Sequence, residues 1–385
     1  MKVVIYEDQL ENFYPLINFY PQFNLRIGMK TIAEHNAGYF PKFKFEFITR
    51  SIFKFKLQPR NEPTMYLSAR LLLMDKVNLP YEEVRFTVDD ETVGFLKTSP
   101  PFPESLPEIN TALRNIKTTK KISGKVFKYP WDLIKYNEEI ITLHFKTHHR
   151  KTRRYKGIEI SGKSTNLFVA KDATLHKFVF IDTTQGPVYI DRKAEIGAFT
   201  AIVGPSYIGE GTLTARAKII KSSIGPYCRI GGEVESSIFQ GFSNKYHEGF
   251  IGHSFIGEWV NLGALTTNSD LKNNYSNVRI KIGEREYDSN MTKLGCFIGD
   301  HTKLGIGTLI PTGAVVGSFV NYFGGGLMPR YVPSFRWIGP QIDEIYDLEK
   351  AIATARIVMA RRGIQITKEY EDLIRENYRY LLKHR

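Results

Sequence analysis

Between Ile158 and about Gly326, aliphatic residues recur every six positions. They stand at Ile190, Ile196, Ile202 and Ile208, return at Ile224 and Ile230, and return again at Ile298, Leu304, Ile310 and Val316. Glycine directly follows many of them, as at Gly197, Gly225 and Gly299. A helix does not hold a strict six-residue period on one face, whereas a solenoid with short flat faces does, three such faces making one coil. The aliphatics are predicted to point inward, with the glycines easing the backbone through corners where a Cβ would obstruct it. The period slips at Ile251, Ile256 and Leu262 and is lost from 264 to 297, a stretch rich in Asn, Ser and Lys. That stretch reads as a projecting polar loop, a kind of segment that often carries binding groups.

The flanking regions have other patterns. "KVVIYE" at the start and "FKFEFITR" at 43–50 read as strands, and "ARLLLMDKV" at 69–77 as a helix. Residues 1–105 thus predict an α/β domain, ended by the Pro-rich run from Thr98. Residues 106–157 read as connecting elements, with a short helix at 107–118. Beyond the solenoid at 158–326, residues 327–385 form a C-terminal extension. One helix there ends at Gly363 after two arginines, and another follows Thr367.

Composition narrows the picture less than the repeat does. The chain has 385 residues, 42% apolar and 24% charged, without an apolar span long enough to cross a membrane as a helix. Its start turns acidic too soon for a secretory signal, and Cys228 and Cys296 do not form a metal-spaced pair, so a cytoplasmic location is expected. The net charge of +13 points to anionic partners. The densest patch, "KTHHRKTRRYKG", has one aromatic residue and does not read as a nucleic-acid module. It reads as a solvated linker first and a phosphate-facing element second.

The blocks "LRIGMKTIAEH", "YPWDLIKYNEE", "IGPYCRIGGEVESSIFQGFSNKYHEGFIGHSFIGEWVNLGALTTNSDLKNNY" and "LMPRYVPSFRW" carry a resemblance over most of the chain. The sequence resembles the bifunctional UDP-N-acetylglucosamine diphosphorylase/glucosamine-1-phosphate N-acetyltransferase family, in a shortened, divergent, sugar nucleotidyltransferase-like branch. The resemblance implies a left-handed parallel β-helix assembled as a homotrimer, with acetyl-CoA as co-substrate held between neighbouring coils. The expected acceptor is an amino-sugar phosphate, with a nucleoside triphosphate as a second substrate if the N-terminal domain is active. Neither nucleic acid nor a membrane is expected as a partner.

Site residues follow from the same blocks. His247 stands where the family places its general base, five residues before the Gly252 of an aliphatic-Gly pair, and an imidazole suits proton removal from an attacking amine. Arg229, after "IGPYC", falls at the family's phosphate-binding arginine. Asn261 and Asn268 fall at or near substrate-site asparagines, although Asn261 also reads as one member of an internal ladder. Lys245 and Lys272 read as phosphate- or coenzyme-attracting lysines or as solvated ones. His253 lies at a position usually acidic in the family, and Phe250 replaces its acceptor-site tyrosine. The N-terminal strand lacks the family's Gly-rich loop, so Arg26, Gly28 and Lys30 are the expected nucleotide-binding cluster and Asp8 the expected Mg²⁺ ligand. Two other functions fit the chain: nucleotidyl transfer with a structural solenoid, and a non-catalytic sugar-nucleotide-binding protein.

Overall fold

The computed structural model describes residues 1–53, 61–147 and 157–383, so most of the basic run at 146–157 lies outside the described residues. The chain forms two compact units. The first comprises Met1–Phe13, Tyr20–Leu25 and Lys30–Tyr129; the second comprises Tyr14–Phe19, Arg26–Met29 and everything from Pro130. Among the described residues no helix is long and apolar enough to cross a membrane.

The first unit is built on a six-stranded mixed sheet in the order Lys44–Ile48, Lys2–Tyr6, Thr64–Ser68, Glu91–Lys97, Val84–Val88, Thr119–Lys121. Lys2–Tyr6 runs parallel to both its neighbours, and Val3, Val4 and Ile5 are fully buried, which is why the strand is a continuous apolar run. The sheet extends past residue 105. Helix α1 (Ile32–Ala37) is opened by a capping box between Thr31 and Glu34, and α2 (Leu106–Asn115) by the Ser105 side chain; α3 (Pro130–Thr147) belongs to the second unit. The helix expected at 69–77 is instead the strand Leu71–Leu73, paired antiparallel with Gly124–Val126. All three of its leucines are buried, leaving no polar face for an amphipathic helix.

The second unit is the predicted parallel β-solenoid. One face is a nine-stranded parallel sheet, along which Ile190, Ile208, Ile224, Phe239, Ile256, Ile298 and Val316 stack in register. These side chains and those of the other two faces form one continuous core. The polar excursion is narrower than 264–297. Thr267–Asn268 still pairs with Leu309–Ile310, and the projecting part is the hairpin of Arg279–Ile282 with Arg285–Asp288.

One corner of the solenoid is lined by stacked rings. Tyr227, Phe242, Trp259, His301, Phe319 and Phe335 succeed one another, with neighbouring ring centroids 4.4–6.2 Å apart. Each has a left-handed backbone, with φ between 53° and 61°. For non-glycine residues that conformation costs about 1–2 kcal/mol each, and stacking of about 0.5–1.5 kcal/mol per pair offsets part of the cost. The C-terminal helices α4 (Leu348–Ala360) and α5 (Lys368–Lys383) appear where the pattern placed them. They pack Ala351, Ile352, Ala355 and Ile374 with Phe319 and Phe335 at the far end of this corner.

Candidate functional site

Two residues after each stacked ring, a side chain points outward from the adjoining face. Arg229, Asn244, Asn261 and Lys303 stand opposite one another on successive coils. With Arg361 and Arg362 at the end of α4 they line a cavity of about 300 Å³. Phe242, Trp259 and Val358 supply apolar wall. The Asn244 amide donates to Asn261 Oδ1 at 3.2 Å, and Arg362 donates to Asn244 Oδ1. Both readings of Asn261 therefore hold: it belongs to a ladder, and the ladder lines a cavity.

The cavity has four cationic side chains and no lining carboxylate. Among the described residues, none of the four is ion-paired. Arg362 is held below its usual range by burial first and by Arg229 second. Lys303 donates to the carbonyls of Trp259 (2.7 Å) and His301 (2.8 Å), and burial pushes its ammonium down to about 7. Such a cavity is suited to an anion. A bound anion favours the charged ammonium, so at pH 8, where Lys303 is mostly neutral, binding of sulfate, an anion that does not itself titrate there, should take up protons. Calorimetry in buffers of different ionisation enthalpy reads this uptake, which should vanish in Lys303→Met. Proton release, or uptake unchanged in the variant, would contradict the assignment.

His247 is exposed on the opposite corner of the same face, with its ring edge against Tyr246 at 5.6 Å. It does not line the Arg229 cavity within one chain. Its turn is fixed at two points. Gly249 has a φ of 126°, and a Cβ there would stand 2.1 Å from the Thr266 carbonyl oxygen. Lys245 donates from its ammonium to the His247 carbonyl.

The other expected substrate ligands are placed differently. Lys245 occupies the inward position opposite Ile230 and is 2% exposed, so it does not face a substrate. Asn268 is also buried. Its amide accepts from Gly252 N–H at 2.7 Å and donates to Gly252 O at 3.0 Å, which closes the coil and leaves no group for a ligand. Lys272 is tied to its own loop through Ser276 Oγ and Asn277 O. His253 pairs through Nδ1 with Asp270 Oδ2 at 2.7 Å, and this hydrogen bond helps hold the Asp270 carboxyl low against the effect of burial.

In the N-terminal unit, a cleft of about 560 Å³ opens after the strand Lys2–Tyr6 and includes Asp8, Gln9, Arg70, Glu91 and Asn110. The end of a parallel strand is where α/β sheets usually bind ligands. Asp8 is not free to ligate a metal: Arg70 contacts its two oxygens at 2.8 and 2.9 Å, and Ser68 Oγ donates to it at 2.8 Å. Among the described residues no group of three His, Cys, Asp or Glu side chains is placed to hold a metal ion. Arg70 Nη1 is buried and, among the described residues, has no hydrogen-bond partner.

The expected Arg26, Gly28 and Lys30 cluster is not gathered for phosphate. Arg26 is buried; its Nε donates to Gln240 O at 3.1 Å and its Nη1 to Met29 O at 3.2 Å. Gly28 N–H is taken by Asn137 Oδ1 at 2.8 Å, and a Cβ there would stand 2.7 Å from the His144 ring. Both belong to the solenoid unit, whereas Lys30 leads into α1 of the first unit. Sequence reasoning missed Asn244, Lys303, Arg361, Arg362 and Arg70. For Asn244 and Lys303 a signal existed: each stands two residues after an aromatic, as Arg229 does.

Comparison with known proteins agrees with the resemblance. Residues 3–153 match the sugar nucleotidyl transferase family. The chain is 30% identical over 241 residues to the bifunctional sugar-1-phosphate nucleotidylyltransferase/acetyltransferase of Sulfurisphaera tokodaii, covering 55% of this chain and 58% of that protein. It is 28% identical over 200 residues to the bifunctional protein GlmU of Thermotoga petrophila, covering 44% of this chain and 41% of that protein. The matches thus span less than two thirds of either relative. A solved structure of a putative acetyltransferase from Bacillus cereus aligns over 59% of this chain and 98% of that one, with 14% identity and a TM-score of 0.25.

Proposed function

We propose that the solenoid transfers an acetyl group from acetyl-CoA to the amine of an amino-sugar phosphate. The observation that carries this reading is the unpaired cationic cavity around Arg229, on the same solenoid face as the exposed His247 turn. A phosphate is held by Arg229, which presents a planar fork of donors. The substrate amine attacks the thioester carbonyl, forming the N–C bond and releasing the coenzyme A thiolate. His247 takes the ammonium proton and passes it to the leaving sulfur.

A trimer completes the site in this reading. Phe178, Phe199, Leu265 and Ile306 are each more than 60% exposed at the corner that carries His247; Phe178 and Phe199 stand opposite one another on successive coils, and Ile306 stands one residue before the position opposite Leu265 on the next coil. Phe178 and Phe199 stack at 5.2 Å, and Leu265 N–H donates to Glu248 O in the His247 turn at 2.9 Å. A row of exposed apolar side chains marks a surface for association. Solution mass measurement should give three chains, and a persistent monomer would remove this element. A cytoplasmic location, with access to acetyl-CoA, is part of the same proposal.

The N-terminal cleft supports a second activity, nucleotidyl transfer to a sugar 1-phosphate, with the unpartnered Nη1 of Arg70 as the phosphate donor. Two assays test the whole reading: acetyl-CoA with hexosamine 1-phosphates, and nucleoside triphosphates with sugar 1-phosphates. Acetyl transfer is the expected positive. Any pyrophosphate release should fall at least about tenfold in Arg70→Ala, as loss of a charged hydrogen bond implies. Binding without turnover in either assay would favour a sugar-nucleotide-binding protein.

A further inference from the structure

Four arginines in and just after the two C-terminal helices fall into two groups. Arg356 is bidentate to Glu371 at 2.6 and 2.7 Å, and Arg375 pairs with Glu349. Their charges are neutralised on the outer surface. Arg361 and Arg362 instead line the cavity with Arg229 and Lys303, and no carboxylate accompanies them. A favourable interaction with the carboxyl end of α4 accounts for a cation there. It does not account for two of them converging on two further cations from the solenoid. Three guanidinium groups and the titrating ammonium of Lys303 around 300 Å³ disfavour one another's charge unless an anion joins them.

We propose that Arg361 and Arg362 of α4 clamp the phosphate of a sugar-sized phosphomonoester against Arg229 and Lys303, forming the binding site within a single chain. The inference rests on the functional reading above for the sugar body and extends its phosphate site to the C-terminal helices. The cavity's size suits a hexose phosphate and excludes an entire coenzyme A. Asn244 and Asn261 supply amide groups for sugar hydroxyls, and Arg362 already reaches Asn244. The position of α4 is set by its packing on the aromatic corner, through Ala351, Ile352 and Ala355. The two arginines are therefore held over the cavity before a ligand arrives.

The test is direct binding to the full-length protein in phosphate-free buffer, with glucosamine 1-phosphate, unphosphorylated glucosamine and pyrophosphate as probes. Arg361→Ser and Arg362→Ser should each weaken glucosamine 1-phosphate binding about tenfold, and the double variant by more, as charged hydrogen bonds imply. Arg356→Ser, on the same helix but paired with Glu371, should bind within about twofold of wild type. Glucosamine should not bind, and pyrophosphate should compete. Wild-type affinity in the double variant, equal losses in Arg356→Ser, or no binding of either phosphate by the intact protein would overturn the proposal. Acetyl transfer separates it from the reading on which it rests. If transfer persists while the double variant binds normally, the clamp fails and the acetyltransferase stands. If binding needs both arginines but no acetyl group moves, the clamp stands and the acetyltransferase fails.

Discussion

Replacing His247 with alanine should slow single-turnover acetyl transfer by about 10²–10⁴-fold, the usual contribution of a positioned general base, with little change in acceptor affinity. The phosphate cavity accounts for this separation: its lining does not include His247, so removing the imidazole leaves the phosphate ligands in place. A defect confined to the chemical step identifies a group needed in the transition state and not in binding. His253 is the informative comparison. Its Nδ1 is committed to Asp270, an arrangement that also orients catalytic imidazoles, but its side chain is largely covered whereas His247 is exposed. His253→Ala should therefore lower stability through the lost Asp270 hydrogen bond and slow transfer much less. A deeper kinetic loss in His253→Ala would move the base to that residue. Near-wild-type turnover in both variants would remove both histidines from the proton transfer.

The solenoid was legible because its core repeats: Ile190, Ile196, Ile202, Ile208, Ile224 and Ile230 are all fully buried, as their spacing implied. The site was less legible because the repeat is not constant. Cross-coil partners lie 18, 16, 15 and 17 residues apart in successive coils. Counting forward by six from Ile230 therefore misses the true inward positions, and two of them are polar. Lys245 and Asn268 look like surface residues until the strand register turns them inward. Arg361 and Arg362 were readable only as a helix stop. Nothing local to the sequence shows that α4 ends over Arg229, because packing on distant aromatic residues brings it there. In the N-terminal unit, the strand of Asp8 was visible but its partner Arg70 was not. They are separated by 62 residues and meet through adjacent parallel strands.

Lys245 gives the second large effect, and its sign can be worked out. Its side chain stands between the coils of Ile230 and Leu262, where an aliphatic is expected, and burial pushes its ammonium down to about 8 while Glu248 opposes the shift. The folded state thus holds this proton less tightly than the unfolded chain does. Between about pH 8 and the ordinary lysine value of about 10.5, unfolding takes up a proton, and wild-type stability rises with pH. Below pH 8 both states are charged and the folded protein carries the full burial cost. Lys245→Met replaces the ammonium with a flexible apolar chain of similar length. It should stabilise the protein by about 1–3 kcal/mol near pH 7, the range for burying a polar group, with the advantage shrinking as pH rises toward 10. The same variant loses the bond from Lys245 to the His247 carbonyl, so the turn is no longer tied from within. Acetyl transfer should then fall about tenfold through misplacement of the base, with acceptor binding retained. Denaturant titrations at pH 7, 8.5 and 10, paired with single-turnover rates, measure both effects. A stability difference that does not change with pH would reject a buried titrating ammonium, and full turnover in the variant would reject its role in positioning His247.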